Sequence, residues 1–420
     1  MINFINNSEK KRKLINLLIW VPVINILATL ATNHNIGFGS FHLGYVRGVL
    51  LTLIGLYILL IARKNNTFYA LTMLILVYTA VMCLFSSDIT QSLIVWNKFF
   101  ISTTLFFVGF YIVHNTQDYT RLIKTTYFSI AIVLIYIFIS NLFGFGEVSY
   151  RGGTILFGET GVNIVKTLGI GIILSPLIIY FSKKKQKKWF LAITIISVLV
   201  LLLGLKRGVI LAVLIGFITF IIYSPFKIKY IKLLPVILIL SIPLIFLFEQ
   251  DILSTYDGRV EKLKSDSIIK TGSEDEAEGR TVELMWVLKR FNDGDIGFKL
   301  FGEDPLIARK NALGVRGDSR MNHMDFSSVL DSFGIIGFIL LTMWYLRIIR
   351  WIFKLKRRIN YKQNKEILAV ILALFTAQIP FAISGSIVAI DLRGLLMLHL
   401  GALIALVVKF HNQSQSIKAS

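Results

Sequence analysis

The feature that most constrains this chain is a series of apolar stretches, each about 16 to 21 residues long, recurring from end to end. A hydrocarbon layer of about 30 Å is crossed by about 20 helical residues, so each stretch is of spanning or near-spanning length. A soluble fold cannot bury so many helices that are apolar all round. In lipid a helix satisfies its own backbone polar groups, which gives the pattern a physical home. Only 16% of the residues are charged and 55% are hydrophobic; soluble domains carry about a quarter charged. The expected fold is an all-α polytopic membrane protein. Helices are predicted over 14–31, 43–62, 68–85, 93–113, 125–143, 164–181, 190–204, 208–223, 233–248, 327–346, 367–387 and 395–409, so about 12 spans in all.

The net charge of +21 raises the question of nucleic acid. The placement of the charge argues against it, because most Lys and Arg sit in short loops between apolar runs. The basic segments are Lys10–Lys13, Arg63-Lys64, Arg121 with Lys124, Lys183–Lys188, Lys227–Lys232 and Arg347–Lys365. They fall in every second loop, as cytoplasmic loops do. Both termini are then cytoplasmic. The basic N-terminus followed by an apolar run resembles a signal peptide but lacks a small-x-small cleavage site, so it reads as an uncleaved first helix. The single cysteine, Cys83, lies in an apolar run and reads as a buried thiol.

Three regions follow: 1–248 with nine spans, a polar loop over 249–326, and 327–420 with three spans and a cytoplasmic tail. The loop holds 12 basic and 16 acidic residues and is too polar to enter lipid. It is expected on the extracytoplasmic side as a small helical subdomain. Ser273 to Glu276 reads as a capping box, and Val282, Met285 and Trp286 trace one apolar stripe at helical spacing.

Six helices run inward in this scheme. Five carry a cation at or near the outer end, namely Arg47, Lys98, Lys166, Arg207 and Arg393, and the sixth carries Asp331. Outer loops add Arg151, Lys206, Arg259, Arg280, Arg316 and Arg320. Two readings stand side by side. Long side chains can snorkel to the interface and anchor helices. Alternatively, the set forms a cationic bowl whose arginine forks match phosphate oxygens in pairs. A lipid-linked diphosphate, with its tail in the bilayer, carries the charge such a bowl would hold.

Three segments carry a resemblance. Gly204-Leu205-Lys206-Arg207-Gly208 precedes an apolar helix; Arg280-Thr281-Val282-Glu283-Leu284 gives Arg-x-x-x-Leu in the loop; and His323-Met324 is followed, after nine intervening residues, by Gly334-Ile335-Ile336-Gly337. In order and topology the chain resembles the O-antigen polymerase and O-antigen ligase superfamily of bacterial membrane glycosyltransferases. The resemblance implies a GT-C-like fold in the inner membrane with a periplasmic loop. It implies transfer of an oligosaccharide from a polyprenyl-diphosphate carrier to a sugar hydroxyl, without metal, nucleotide or other cofactor. A chain-length regulator protein is an implied partner. Ligases place Asn, Ser or Gln after the histidine. Met324 departs from that pattern and favours a polymerase over a ligase.

Residue by residue, Arg207 and Arg280 are expected to stabilise the leaving diphosphate, and His323 to orient or deprotonate the acceptor hydroxyl. Arg151, Arg47, Lys166, Arg316 and Arg320 are candidate substrate-binding cations. For each arginine the alternative is interfacial anchoring, and for His323 a loop histidine bonded to its neighbours. Gly334 and Gly337 read as helix-packing glycines. Asp293-Gly294-Asp295 resembles a metal-binding Asp-x-Asp but reads better as turn chemistry. Glu274–Glu278 likewise reads as a helix start rather than a calcium site. A transporter or flippase of lipid-linked glycan is the rival of different class, and discontinuous helices would be its mark.

The orientation is testable directly. A periplasm-active reporter fused at residue 270 and a cytoplasm-active reporter at 185 should both give signal; the reversed pattern contradicts the assignment.

Overall fold

A computed structural model describes residues 8–34, 37–38, 41–62, 67–146, 156–157, 162–204, 207–225, 279–306, 309–310, 319–320, 324–358, 362–383, 385 and 387–419. The chain is helical nearly throughout these residues. In order the helices are α1 Ser8–Leu18, α2 Val21–Asn33, α3 Leu43–Ala62, α4 Thr67–Cys83, α5 Ile89–Ile112, α6 Thr116–Phe143, α7 Val162–Phe181, α8 Lys184–Leu203, α9 Arg207–Tyr223, α10 Gly279–Asp293, α11 Ile296–Phe301, α12 Asp325–Arg358, α13 Lys362–Ile383 and α14 Leu395–Ala419. A π-helical turn, Ile390–Gly394, leads into α14. Two antiparallel ladders of two-residue strands complete the elements: β1 (Gly37–Phe38) with β2 (Phe41–His42), and β3 (Arg309–Lys310) with β4 (Ser319–Arg320).

Eight of these helices are long and apolar enough to cross a membrane, and nine if the bent pair α1–α2 is one span. Two shorter apolar helices, Phe68–Cys83 and Gly208–Tyr223, stand at the third and eighth predicted positions. The predicted ninth helix, 233–248, lies outside the described residues, as does the Ser273–Glu276 capping box. The first predicted helix is divided: α1 and α2 meet at 41°. The tenth is longer than expected and broken within.

Local signals fix several boundaries. Asp88 caps α5 by accepting from Gln91 N at 2.9 Å, and Asn115 caps α6 by accepting from Asp118 N at 2.9 Å. Gly144, with φ +68°, ends α6 in the left-handed conformation.

The spanning window of α14 is buried over its whole length, whereas that of α8 is 11% buried. α14 is therefore the axis of the bundle and α8 a peripheral helix. The axis is held by close approach to α5. A side chain at Gly109 would strike the Leu398 carbonyl, and one at Gly401 would strike the Phe106 carbonyl. A glycine from each helix thus lets the two backbones touch, where dispersion and not the hydrophobic effect drives association. Around this pair, α9 packs on α13, α3 on α5 and α7 on α8. Cys83 is fully buried, as its apolar setting suggested.

The break in α12 falls at Gly334, whose φ of 59° and ψ of −165° are not helical. The sequence reading gave this glycine a helix-packing role. It does admit a neighbouring helix, since the end of α11 at Leu300–Phe301 leaves no room for a Cβ, and it also bends its own helix at that contact. The freed backbone groups find partners. Phe333 O accepts from Tyr78 Oη at 2.8 Å, and Asp331 O accepts from Glu303 N at 3.0 Å. Leu306 N donates to Ser332 Oγ at 3.1 Å. The same segment is stitched to the α4–α5 turn, where Ser87 N donates to Asp304 Oδ1 at 2.8 Å and Ser92 Oγ donates to Pro305 O.

Gly334→Ala should therefore lower stability by about 2 kcal/mol or more, through strained backbone and displacement of residues 300–306. Thermal unfolding in detergent with limited proteolysis checks this. Wild-type melting and an unchanged digestion pattern around 295–306 would contradict the account.

Candidate functional site

Several of the charged side chains buried in the bundle converge on residues 385–394, between α13 and α14. Residues 385 and 387–389 are not helical, so their backbone groups cannot pair within a helix. Cations and a carboxylate take that role. Lys166, the fifth residue of α7, donates from Nζ to Gly385 O at 3.0 Å. Asp325, the first residue of α12, accepts from Ile387 N through Oδ1 at 2.8 Å. Arg393 donates from Nη1 to Ile387 O at 3.2 Å, to Ser102 Oγ at 3.0 Å and to Thr103 Oγ1 at 3.2 Å. Its guanidinium lies over Phe99 at 4.8 Å and Trp344 at 5.9 Å.

Asp391 leaves the π-helical turn in another direction. Its Oδ1 accepts from Thr29 Oγ1 at 2.8 Å and lies 3.3 Å from Arg47 Nη1. Arg47 Nη1 also donates to Thr29 Oγ1, and to Asn25 Oδ1 at 3.2 Å. The pair is 12% and 11% exposed, so it lies largely inside the protein. Lys98 lies within electrostatic range of both partners. One turn of irregular helix thus joins α2 and α3 through Asp391, and α5 and α12 through Arg393.

This corrects the anchoring reading for three cations. Arg393 is 1% exposed and Lys166 is 5% exposed. With Arg47 they are enclosed by protein and bonded to it, and they do not reach for the interface. Arg207 is the first residue of α9. Two residues on, Val209 packs against Gly169, which is three residues on from Lys166, so both helices begin at the same end of the bundle. Arg280 is the second residue of α10. Arg320 lies in β4, its backbone paired with Arg309. The side chains of Arg207, Arg280 and Arg320 lie outside the described residues, as do Arg151, Arg316 and His323 altogether. Of the sequence-derived site, Arg47 and Lys166 are brought together around 385–391.

The loop helices dock through one arginine. Arg290 contacts Asp331 Oδ1 at 2.7 Å with Nη1 and Glu303 Oε2 at 2.6 Å with Nη2. Its guanidinium lies over Trp286 at 5.0 Å and Phe298 at 4.8 Å. Asp331, read from sequence as the odd anion among outer-end cations, is thus the bundle's handle for the loop. Arg280 stands ten residues earlier on the same helix, about 15 Å from Arg290 along the axis. Asp295 caps α11 by accepting from Phe298 N at 2.7 Å, so one carboxylate of Asp-x-Asp is engaged as turn chemistry predicts. Among the described residues no cluster of three His, Cys, Asp or Glu could hold a metal ion.

Sequence reasoning placed Arg393 among the cations of a phosphate-binding bowl without choosing it as a site residue, and passed over Asp325 and Asp391. Asp391 is 344 residues from Arg47, and no local pattern reports such a pair. The one available signal was an acid and a base two apart, Asp391-Leu392-Arg393, at the head of an apolar helix. No protein-family model matches the chain, and no curated protein matches it.

Removing one member of a buried ion pair leaves the other uncompensated, at a cost of about 3–5 kcal/mol. Arg47→Ala and Asp391→Ala should each lower the melting temperature more than the double variant does relative to either single change. Thermal unfolding of the four proteins gives the coupling. Strictly additive losses would show that the pair does not act as a unit.

Proposed function

We propose that this protein is a membrane glycosyltransferase that polymerises a bacterial surface polysaccharide. It would transfer oligosaccharide from a polyprenyl-diphosphate carrier to the sugar hydroxyl of a second lipid-linked repeat unit. The observation that carries the reading is an excess of positive charge at one end of the bundle. Arg47 and Lys166 contact the 385–391 segment, Arg393 follows it, and Lys98 lies within electrostatic range of Arg47 and Asp391, against the carboxylates Asp325 and Asp391. An apolar bundle that gathers more cations than anions suits a ligand with a diphosphate head and a tail in lipid. The motif segments support the same reading, since Arg207 begins α9 at that end and Gly334 stands where the loop helices meet α12.

In this chemistry the acceptor oxygen attacks the anomeric carbon, and the bond from that carbon to the diphosphate oxygen breaks. His323 takes the hydroxyl proton, and Arg207 and Arg280 meet the negative charge growing on the leaving diphosphate. Attack from the face opposite the leaving group inverts the anomeric centre. The reaction site belongs on the extracytoplasmic face of the inner membrane. A ligase that moves finished glycan to a lipid A core shares all of this except the acceptor.

A second reading, a transporter or flippase of lipid-linked glycan, is favoured by one observation. The chain is broken inside the bundle at Gly334 and again at 385–389, and discontinuous helices are common at transport sites. The two classes separate on product: a transferase forms a glycosidic bond, and a flippase does not.

Purified protein with lipid-linked repeat units should yield a ladder of longer lipid-linked chains. Arg207→Ala and Arg280→Ala, at equal abundance, should lose about 100-fold or more of that turnover, and lysine should restore little of it. Wild-type turnover in both alanine variants would remove these residues from the mechanism. In a Gram-negative source, a deletion strain should display single repeats on its lipid core. A bare core beside accumulated carrier-linked polymer would point to the ligase.

A further inference from the structure

Arg393 is more than a structural pin. Nη1 carries all three of its hydrogen bonds to Ser102, Thr103 and Ile387. Nε and Nη2 have no hydrogen-bond partner among the described residues, although the side chain is 1% exposed. These two nitrogens form one edge of the guanidinium plane, the edge that grips two oxygens of a carboxylate or phosphate side by side. Leaving such donors unmet away from water is costly. The same neighbourhood holds an unmet acceptor. Gln378 donates from Nε2 to Tyr345 Oη at 2.6 Å, while its Oε1 is unpartnered. Tyr345 in turn stands beside Arg393, close enough for a side-chain hydrogen bond to it, and within electrostatic range of Asp325.

We infer that Arg393 is an anion-binding residue whose Nε–Nη2 edge takes a phosphate of the carrier lipid. This deepens the proposed transferase and rests on that reading. Three features fit a phosphate-bearing ligand. The bound half of the guanidinium is locked by three bonds and two aromatic faces, so the free edge is held in a fixed direction. Lys166 and Arg47 stand around the same 385–391 segment and add to the positive field. The neighbouring backbone at 387–389 is not helical, so a head group beside it would interrupt no helical ladder. The free Gln378 Oε1 offers an acceptor to a hydroxyl on the ligand.

The test uses full-length protein in phosphatidylcholine nanodiscs, with three probes: undecaprenyl diphosphate, undecaprenol and phosphatidylglycerol. The readout is the binding preference for the diphosphate over the alcohol, which a purely structural arginine would not set. Wild type should prefer the diphosphate by at least tenfold. Arg393→Lys, which keeps the charge but loses the fork, should lose most of that preference, and Arg393→Gln all of it. Gln378→Glu places a carboxylate beside Tyr345, leaves Arg393 in place and should also reduce the preference, with the melting temperature unchanged or higher. It keeps the test open should both Arg393 variants fail to fold.

The outcomes separate cleanly. If wild type shows no preference for the diphosphate, the transferase reading itself is overturned. If wild type shows it and the folded Arg393 variants, or Gln378→Glu, keep it, only the role of Arg393 is overturned. If phosphatidylglycerol binds as well as the diphosphate and depends equally on Arg393, the site serves bilayer phosphate and the assigned ligand is wrong.

Discussion

A backbone amide or carbonyl inside a hydrocarbon layer has no water to turn to, and each one left unmet costs several kcal/mol or about that order. Regular helices meet the demand by themselves. Among the described residues the helices are broken three times, and at each break side chains or neighbouring backbone take over. Between α1 and α2, Ile19 O accepts from Thr125 Oγ1 at 2.7 Å. At Gly334, Tyr78 and the 303–306 segment receive the freed groups of α12. Ahead of α14, Lys166, Asp325 and Arg393 do so with full charges.

That last choice has consequences beyond stability. A hydroxyl would satisfy Gly385 O or Ile387 O at far lower desolvation cost than an ammonium or a guanidinium. Charges placed there instead create a field, and their number exceeds that of the nearby carboxylates. In the function proposed above, the arrangement couples two tasks: the groups that hold irregular backbone in place also prepare the bundle for an anion. The loop is tied to the same end through a separate contact, the Arg290 bridge to Asp331 and Glu303. Movement of α10 is thereby linked to α12, whose first residue, Asp325, holds Ile387 N.

Much of the membrane architecture was legible in the sequence, because the length of an apolar run reports the thickness that a helix must cross. Eleven of the predicted positions coincide with described helices, some of them short of a full span. The breaks were harder to read. Gly334-Ile335-Ile336-Gly337 looks the same whether its glycines only admit a neighbouring helix or also bend their own. The φ of Gly334 is set by Leu300 and Phe301, which no local pattern places there. The cations that the sequence reading assigns to outer ends were visible as departures from the positive-inside rule. Their partners were not, since Arg47 and Asp391, or Lys166 and Gly385, meet only after the chain has folded. Apolar periodicity reports burial, whereas ion pairs far apart in sequence leave no periodic trace.

The central claim is that the irregular backbone before α14 is enclosed and bonded by charged side chains, and is not an exposed surface turn. Hydrogen–deuterium exchange on the protein in nanodiscs addresses it at residues 387–394. Ile387 N donates to Asp325 and Arg393 N donates to Ala389 O, so these amides should exchange about as slowly as those of α13 and α14. Complete exchange within seconds, at the rate of an exposed loop, would contradict the account.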